Sequence, residues 1–87
     1  MTQTPLSTYY EGIEALSDRL FSAGALDWAE ALTAAMRGGS TSGEILSNTG
    51  VVLRNLAESP ELGRCKVEEE VARLQVECES LLNGGGH

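Results

Sequence analysis

The chain has 87 residues, a length that suits one small domain and excludes two. Hydrophobic residues make up 41% of it, which argues against wholesale disorder, and the scarcity of aromatic residues favours an aliphatic core of packed helices. The formal net charge of −7 argues against binding to nucleic acid or to anionic membrane surfaces. It favours either plain solubility or a protein partner with a basic patch.

Localisation is predicted from what the sequence lacks. No apolar run reaches the roughly 18 residues that a membrane span requires, and the first residues do not have the basic start and apolar stretch of a signal peptide. Cys65 and Cys78 would lie about 20 Å apart on one helix, too far for a disulfide. We therefore expect reduced cysteines and a cytoplasmic protein.

The first predicted helix runs from about Pro5 to Ala23. Thr4 is a candidate N-cap with a proline at the first helical position, and Gly24 is well placed to end the helix. Apolar residues spaced by four, three and four positions form one buried stripe: Tyr9, Ile13, Leu16 and Leu20.

The second predicted helix runs from about Leu26 to Arg37 and ends at Gly38-Gly39. Its predicted apolar face consists of Trp28, Leu32, Ala35 and Met36. Because the tryptophan is in register with this face, we interpret it as a core residue rather than a binding residue.

The third predicted helix runs from about Ser42 to Glu58. Thr41 and Glu44 have the spacing of a capping box. The predicted buried face is Ile45, Thr49, Val52, Leu53 and Leu56, beside a strip of small residues, Gly43, Ser47 and Gly50. A glycine inside a helix costs about 1 kcal/mol relative to alanine. We therefore expect another helix to approach closely at Gly50, or a kink there.

The segment from Gly38 to Glu44 resembles the beginning of a phosphate-binding loop. Two glycines have the required spacing, but Glu44 and Ile45 occupy the positions where lysine and a hydroxyl residue would hold phosphate and magnesium. A carboxylate at the lysine position repels phosphate. The segment is better explained as the end of one helix and the capped start of the next.

The fourth predicted helix begins at Ser59-Pro60-Glu61 and continues to about Leu82. Because Gly63 weakens its first turn, a start of the regular part nearer Arg64 is the alternative. Its apolar residues follow a heptad pattern: Val67, Val71, Leu74, Cys78 and Leu81. The spacing of Lys66 and Glu70 predicts an ion pair along this helix.

These elements predict an all-α protein, a compact up-and-down bundle of four helices joined by short connections, with 1–83 as one domain and 84–87 as a flexible glycine-rich tail. If the fourth helix extends past the second, its far end exposes Cys78, Leu81 and Leu82. Tyr10 lies off the core stripe, aligned with Glu14 and Ser17, where we expect solvent. We predict these four residues (Tyr10, Cys78, Leu81 and Leu82) as partner-binding.

Catalytic and metal-binding chemistry is weakly supported. The single histidine is His87, and the cysteines do not have the spacing of metal ligands. Cys65 lies between two basic residues, which favours its thiolate, but no base is placed beside it. The consecutive glutamates 68–70 point in different directions around a helix. We predict no catalytic, metal or cofactor site.

The leading hypothesis is a non-enzymatic, cytoplasmic interaction module that binds a protein partner, for example one with a basic surface, or itself. One concrete form is a small inhibitor or immunity-type protein that blocks a basic site. The alternative is a structural homodimer joined through the fourth helix, and a small enzyme is the less favoured third.

Overall fold

The computed structural model describes residues 5–83, and every regular element in that range is helical. The elements are α1 (Pro5–Ser22), α2 (Leu26–Arg37), α3 (Ser42–Ala57), α4 (Glu61–Arg64) and α5 (Glu68–Leu82). The predicted all-α bundle is confirmed. The proposed Thr4 cap and the 84–87 tail lie outside the described residues.

The four long helices are arranged at the corners of a square. Helix α1 packs against α2 and α5, and α3 packs against the same two helices. The α1–α2 side and the α3–α5 side are therefore opposite faces of the bundle. The short helix α4 lies beside α3. None of the helices within residues 5–83 is long and apolar enough to cross a membrane.

Two predicted helix boundaries are confirmed in atomic detail. Gly24 has a φ of 87°, and the Ala25 N–H donates to the Leu20 carbonyl at 2.8 Å, which is the bonding of a Schellman C-cap. At the start of α3, the Glu44 N–H donates to Thr41 Oγ1 at 3.2 Å and the Thr41 N–H donates to Glu44 Oε1 at 3.2 Å. This is the predicted capping box.

The prediction of one continuous fourth helix is wrong, because the chain breaks between α4 and α5. Lys66 has a φ of 58°, and the Val67 N–H donates to the Leu62 carbonyl at 3.2 Å. This is the same C-cap geometry as at Gly24, with lysine in the left-handed position that usually holds glycine. The predicted Lys66 ion pair is absent, because Lys66 precedes α5, and Glu70 pairs with Arg19 of α1 instead.

The core follows the predicted stripe on α1 and differs on α2 and α3. Tyr9, Ile13, Leu16 and Leu20 are all buried, as are Val67, Val71, Leu74 and Cys78. On α2, Leu32 is buried as predicted, together with Ala29, while Trp28 and Met36 are partly buried and pack against the core. On α3, Leu46 is buried, whereas Ile45 and Val52 are only partly buried. Because α3 packs against α5 as well as α2, its buried arc is rotated towards α5.

Candidate functional site

The bundle carries a groove on each of two opposite faces. The α1–α2 groove has a volume of about 350 Å³ and is lined by residues from the middle of α1 and the second half of α2. The α3–α5 groove has a volume of about 370 Å³ and is lined by the middle of α3 and the end of α5. Each is at the small end of the range of ligand sites, about 300–1,000 Å³.

The floor of the α1–α2 groove is apolar and belongs to the core. Ile13 and Leu32 are almost fully buried beneath it, and Met36 is half-buried. Ser17 ties the two helices together, because its Oγ donates to the Ala29 carbonyl at 3.1 Å. A side chain entering this groove would therefore meet a fixed apolar surface.

The rim of the same groove is acidic along α1. Glu14 and Asp18 line that wall, both are exposed, and neither makes an ion pair with any residue in the range 5–83. Arg37, at the end of α2, is the cation in the lining. Two carboxylates beside an apolar floor favour a ligand that has both a cation and an apolar group.

Two large apolar side chains extend this face beyond the groove. Phe21 is 66% exposed and lies four residues after Ser17, on the flank of α1 that faces α2. Leu26, at the start of α2, is 50% exposed; it is aligned along that helix with Thr33, a groove residue, and it also lines a depression shared with Glu61 and Arg64 of α4. We call Glu14, Asp18, Phe21 and Leu26, together with the groove, the acidic face.

Tyr10 lies on the same flank of α1, four residues before Glu14. It is half-buried, packs against the core, and its ring centroid is 6.2 Å from that of Tyr9. The expectation that this flank faces solvent is partly wrong, because Ser17 bonds to α2. The predicted role of Tyr10 in partner binding stays a prediction.

The α3–α5 groove forms where two helices meet at a glycine. A Cβ atom added to Gly50 would lie only 3.2 Å from the Cys78 sulfur, which shows the close helix approach predicted for this glycine. Val51 and Leu82 line the groove and are 46% and 48% exposed. Arg54 on α3 and Glu79 on α5 supply one charge of each sign.

The other predicted binding residues, Cys78, Leu81 and Leu82, lie at the end of α5 with different exposures. Cys78 is buried, and its thiol donates to the Leu46 carbonyl at 3.2 Å. Leu81 is half-buried against the core, and Leu82 is exposed. The break at Lys66 shortens this helix to 15 residues, which is still longer than α2 with 12. Of the four predicted binding residues, Leu82 is the one that is exposed.

A polar cluster lies inside the bundle, close to Cys78. The hydroxyls of Tyr9 and Thr49 are hydrogen-bonded at 2.7 Å, and Thr49 Oγ1 also donates to the Ile45 carbonyl at 2.8 Å. Burial raises the pKa of the Tyr9 hydroxyl far above its ordinary value. Among the described residues, no buried side-chain nitrogen or oxygen lacks a hydrogen-bond partner, so this cluster is a satisfied core network.

Metal and catalytic chemistry finds little geometric support in the described part of the chain. No group of three or more histidine, cysteine, aspartate or glutamate residues between 5 and 83 is placed to hold a metal ion. Cys65 is buried, and its thiol donates to Glu61 Oε2 with a sulfur–oxygen distance of 4.0 Å. In the glycine-rich segment before α3, the Glu44 carboxylate is bonded in the capping box.

Comparison of the chain with protein-family models, with curated proteins and with solved structures finds no match. Function is therefore inferred from the two grooves. The predicted alignment of Tyr10 with Glu14 and Ser17 along α1 stopped one turn too early. It continues to Phe21, four residues after Ser17. That extension is the signal that would have identified the acidic face.

Proposed function

We propose that the chain is a non-enzymatic, cytoplasmic interaction module that binds a basic segment of a protein partner at its acidic face. The observation that carries this proposal is the α1–α2 groove, in which a buried apolar floor lies beside the carboxylates of Glu14 and Asp18, neither of which is ion-paired within residues 5–83. Phe21 and Leu26 add exposed apolar area at one end.

This combination suits a partner segment that places an apolar side chain in the groove and lysine or arginine beside the rim. A few buried side chains, most often aromatic residues or arginine, supply most of the binding energy at such interfaces, while rim charges speed association and select the partner. The net charge of −7 acts in the same direction over longer distances. An inhibitor that covers a basic site on its target is one concrete form of this function.

The direct test is affinity capture from extracts of the source cell with matched charge variants. In the first variant, Glu14 and Asp18 are both replaced by lysine. In the control, Glu68 and Glu69 on α5, which are also exposed, receive the same replacement. We expect a partner that is captured by the wild type and by the control but is lost from the acidic-face variant.

A second measurement defines the chemistry with known probes. A ¹⁵N-labelled sample is titrated with a leucine–lysine amphipathic peptide and with its leucine–glutamate counterpart. Chemical-shift changes confined to the α1–α2 side, caused by the basic peptide alone, would support the proposal. Equal binding of both peptides, or shifts spread evenly over all helices, would contradict it. Replacing the two rim carboxylates, Glu14 and Asp18, should weaken binding of the basic peptide by roughly tenfold, since exposed ion pairs contribute about 0.2–1 kcal/mol each.

A further inference from the structure

The charges of the acidic face are distributed unevenly along its groove. Glu14 and Asp18 stand on the α1 wall, and Arg37, in the last turn of α2, carries the positive charge of the lining. All three side chains are exposed, and none is ion-paired with another residue in the range 5–83. A basic partner segment accounts for the two carboxylates but not for the arginine.

Contacts between the two helices fix the end of the groove at which this cation lies. Helices α1 and α2 run in opposite directions, and Ser17 Oγ lies 3.1 Å from the Ala29 carbonyl oxygen and 3.4 Å from Thr33 Oγ1. Arg37 follows Thr33 by four residues, about 6 Å along α2, and Phe21 follows Ser17 by the same rise along α1 in the opposite direction. The cation and the exposed aromatic ring are therefore separated by about 12 Å along the face.

Arg37 restricts where the cations of a partner can lie. A lysine or arginine of the partner placed at this end of the groove meets a charge of the same sign, which is unfavourable. Partner cations are thus confined to the α1 wall, beside Glu14 and Asp18. A carboxylate at the same end is attracted, and the planar guanidinium can bind it with two parallel N–H donors.

We propose that Arg37 is a specificity-determining residue of the acidic face and binds a carboxylate of the partner segment. This inference rests on the proposed function and narrows the class of partner. The segment carries an apolar anchor and cations and, at the end that reaches Arg37, a glutamate, an aspartate or a C-terminal carboxylate. A segment with cations along its whole length binds less tightly.

Arg54 provides a matched control. Both arginines are exposed and lie in the last turn of a helix, where a cation interacts favourably with the helix dipole. Arg54, however, lines the α3–α5 groove on the opposite side of the bundle. Arg37→Gln and Arg54→Gln therefore change the net charge and a helix end alike, and they differ in the groove that they alter.

The test is a chemical-shift titration of the ¹⁵N-labelled full chain with three leucine–lysine peptides whose termini are blocked. The first peptide has glutamine at both ends, and each of the others has glutamate in place of one of these glutamines. Because the direction of the segment in the groove decides which end reaches Arg37, one glutamate peptide should bind roughly two- to fivefold more tightly than the glutamine peptide. Arg37→Gln should remove this preference, and Arg54→Gln should retain it.

The possible failures separate this inference from the proposed function. If neither glutamate peptide binds more tightly, or if the preference persists undiminished in Arg37→Gln, the inference is refuted while binding of basic peptides to the acidic face stands. Equal loss of the preference in both variants would also refute it, because the effect would then come from net charge alone. If no peptide shifts the signals of the α1–α2 side, the proposed function fails and this inference fails with it.

Discussion

The Tyr9 hydroxyl lies 2.7 Å from the Thr49 hydroxyl, and the hydrogen bond between them joins α1 to α3 across the diagonal of the bundle. Both residues are fully buried. Thr49 has one hydroxyl hydrogen, which it donates to the Ile45 carbonyl at 2.8 Å. Tyr9 is therefore the donor and Thr49 the acceptor, so the two residues differ in what their removal leaves behind.

Removing the acceptor should cost more stability than removing the donor. In Tyr9→Phe, Thr49 keeps its hydrogen bond to the backbone, and we expect the free energy of unfolding to fall by about 0.5–1.5 kcal/mol. In Thr49→Val, the buried Tyr9 hydroxyl loses its acceptor, and we expect the free energy of unfolding to fall by about 1–3 kcal/mol. Urea unfolding measures both values. A larger loss for Tyr9→Phe would contradict the assigned direction of this bond.

The same buried hydroxyl should make the fold sensitive to alkaline pH. Burial raises the pKa of Tyr9 above its ordinary value of 10.0, so the folded chain retains a proton that the unfolded chain releases. The contribution of Tyr9 to the free energy of unfolding is therefore fully present below about pH 10. Above that pH it falls by up to about 1.4 kcal/mol per pH unit. In urea titrations above that pH, Tyr9→Phe should lose stability less steeply than the wild type, and equal slopes would refute the assignment.

The contact between Gly50 and Cys78 predicts strong coupling between two substitutions. Alanine at position 50 would place its Cβ 3.2 Å from a sulfur that is buried and bonded to the Leu46 carbonyl. We expect Gly50→Ala to destabilise the wild type, and to stabilise a Cys78→Ala background by up to about 1 kcal/mol, the difference in helix propensity. A double-mutant cycle should give a coupling of about 1 kcal/mol or more, whereas additive effects would show that the helices adjust freely.

The chain break at Lys66 predicts a stabilising glycine. Lys66 has a φ of 58°, a conformation that glycine adopts without steric cost, so Lys66→Gly should raise the free energy of unfolding by about 0.5–1 kcal/mol. Ala72→Gly in the exposed interior of α5 is the control and should lower it by about 1 kcal/mol. If both changes lower stability equally, the left-handed conformation carries no strain.

Local signals in the sequence determined the helical class and most helix ends. The capping box at Thr41 and Glu44 and the stop at Gly24 depend on residues within one turn of each other, so their spacing alone predicts them. The α1 stripe was predictable for a related reason. A helix has a fixed period, and the most apolar side of α1 is the buried one.

Long-range contacts decided the remaining features. The break before α5 has lysine in place of glycine, and Arg19 of α1 holds it by donating to the Lys66 carbonyl at 3.2 Å and pairing with Glu70. Leu46 is buried in preference to Ile45 because α3 lies between two neighbouring helices, α2 and α5. The acidic face likewise exists only once α2 lies beside α1. Each of these depends on residues distant in sequence, which a periodic pattern within one helix does not encode.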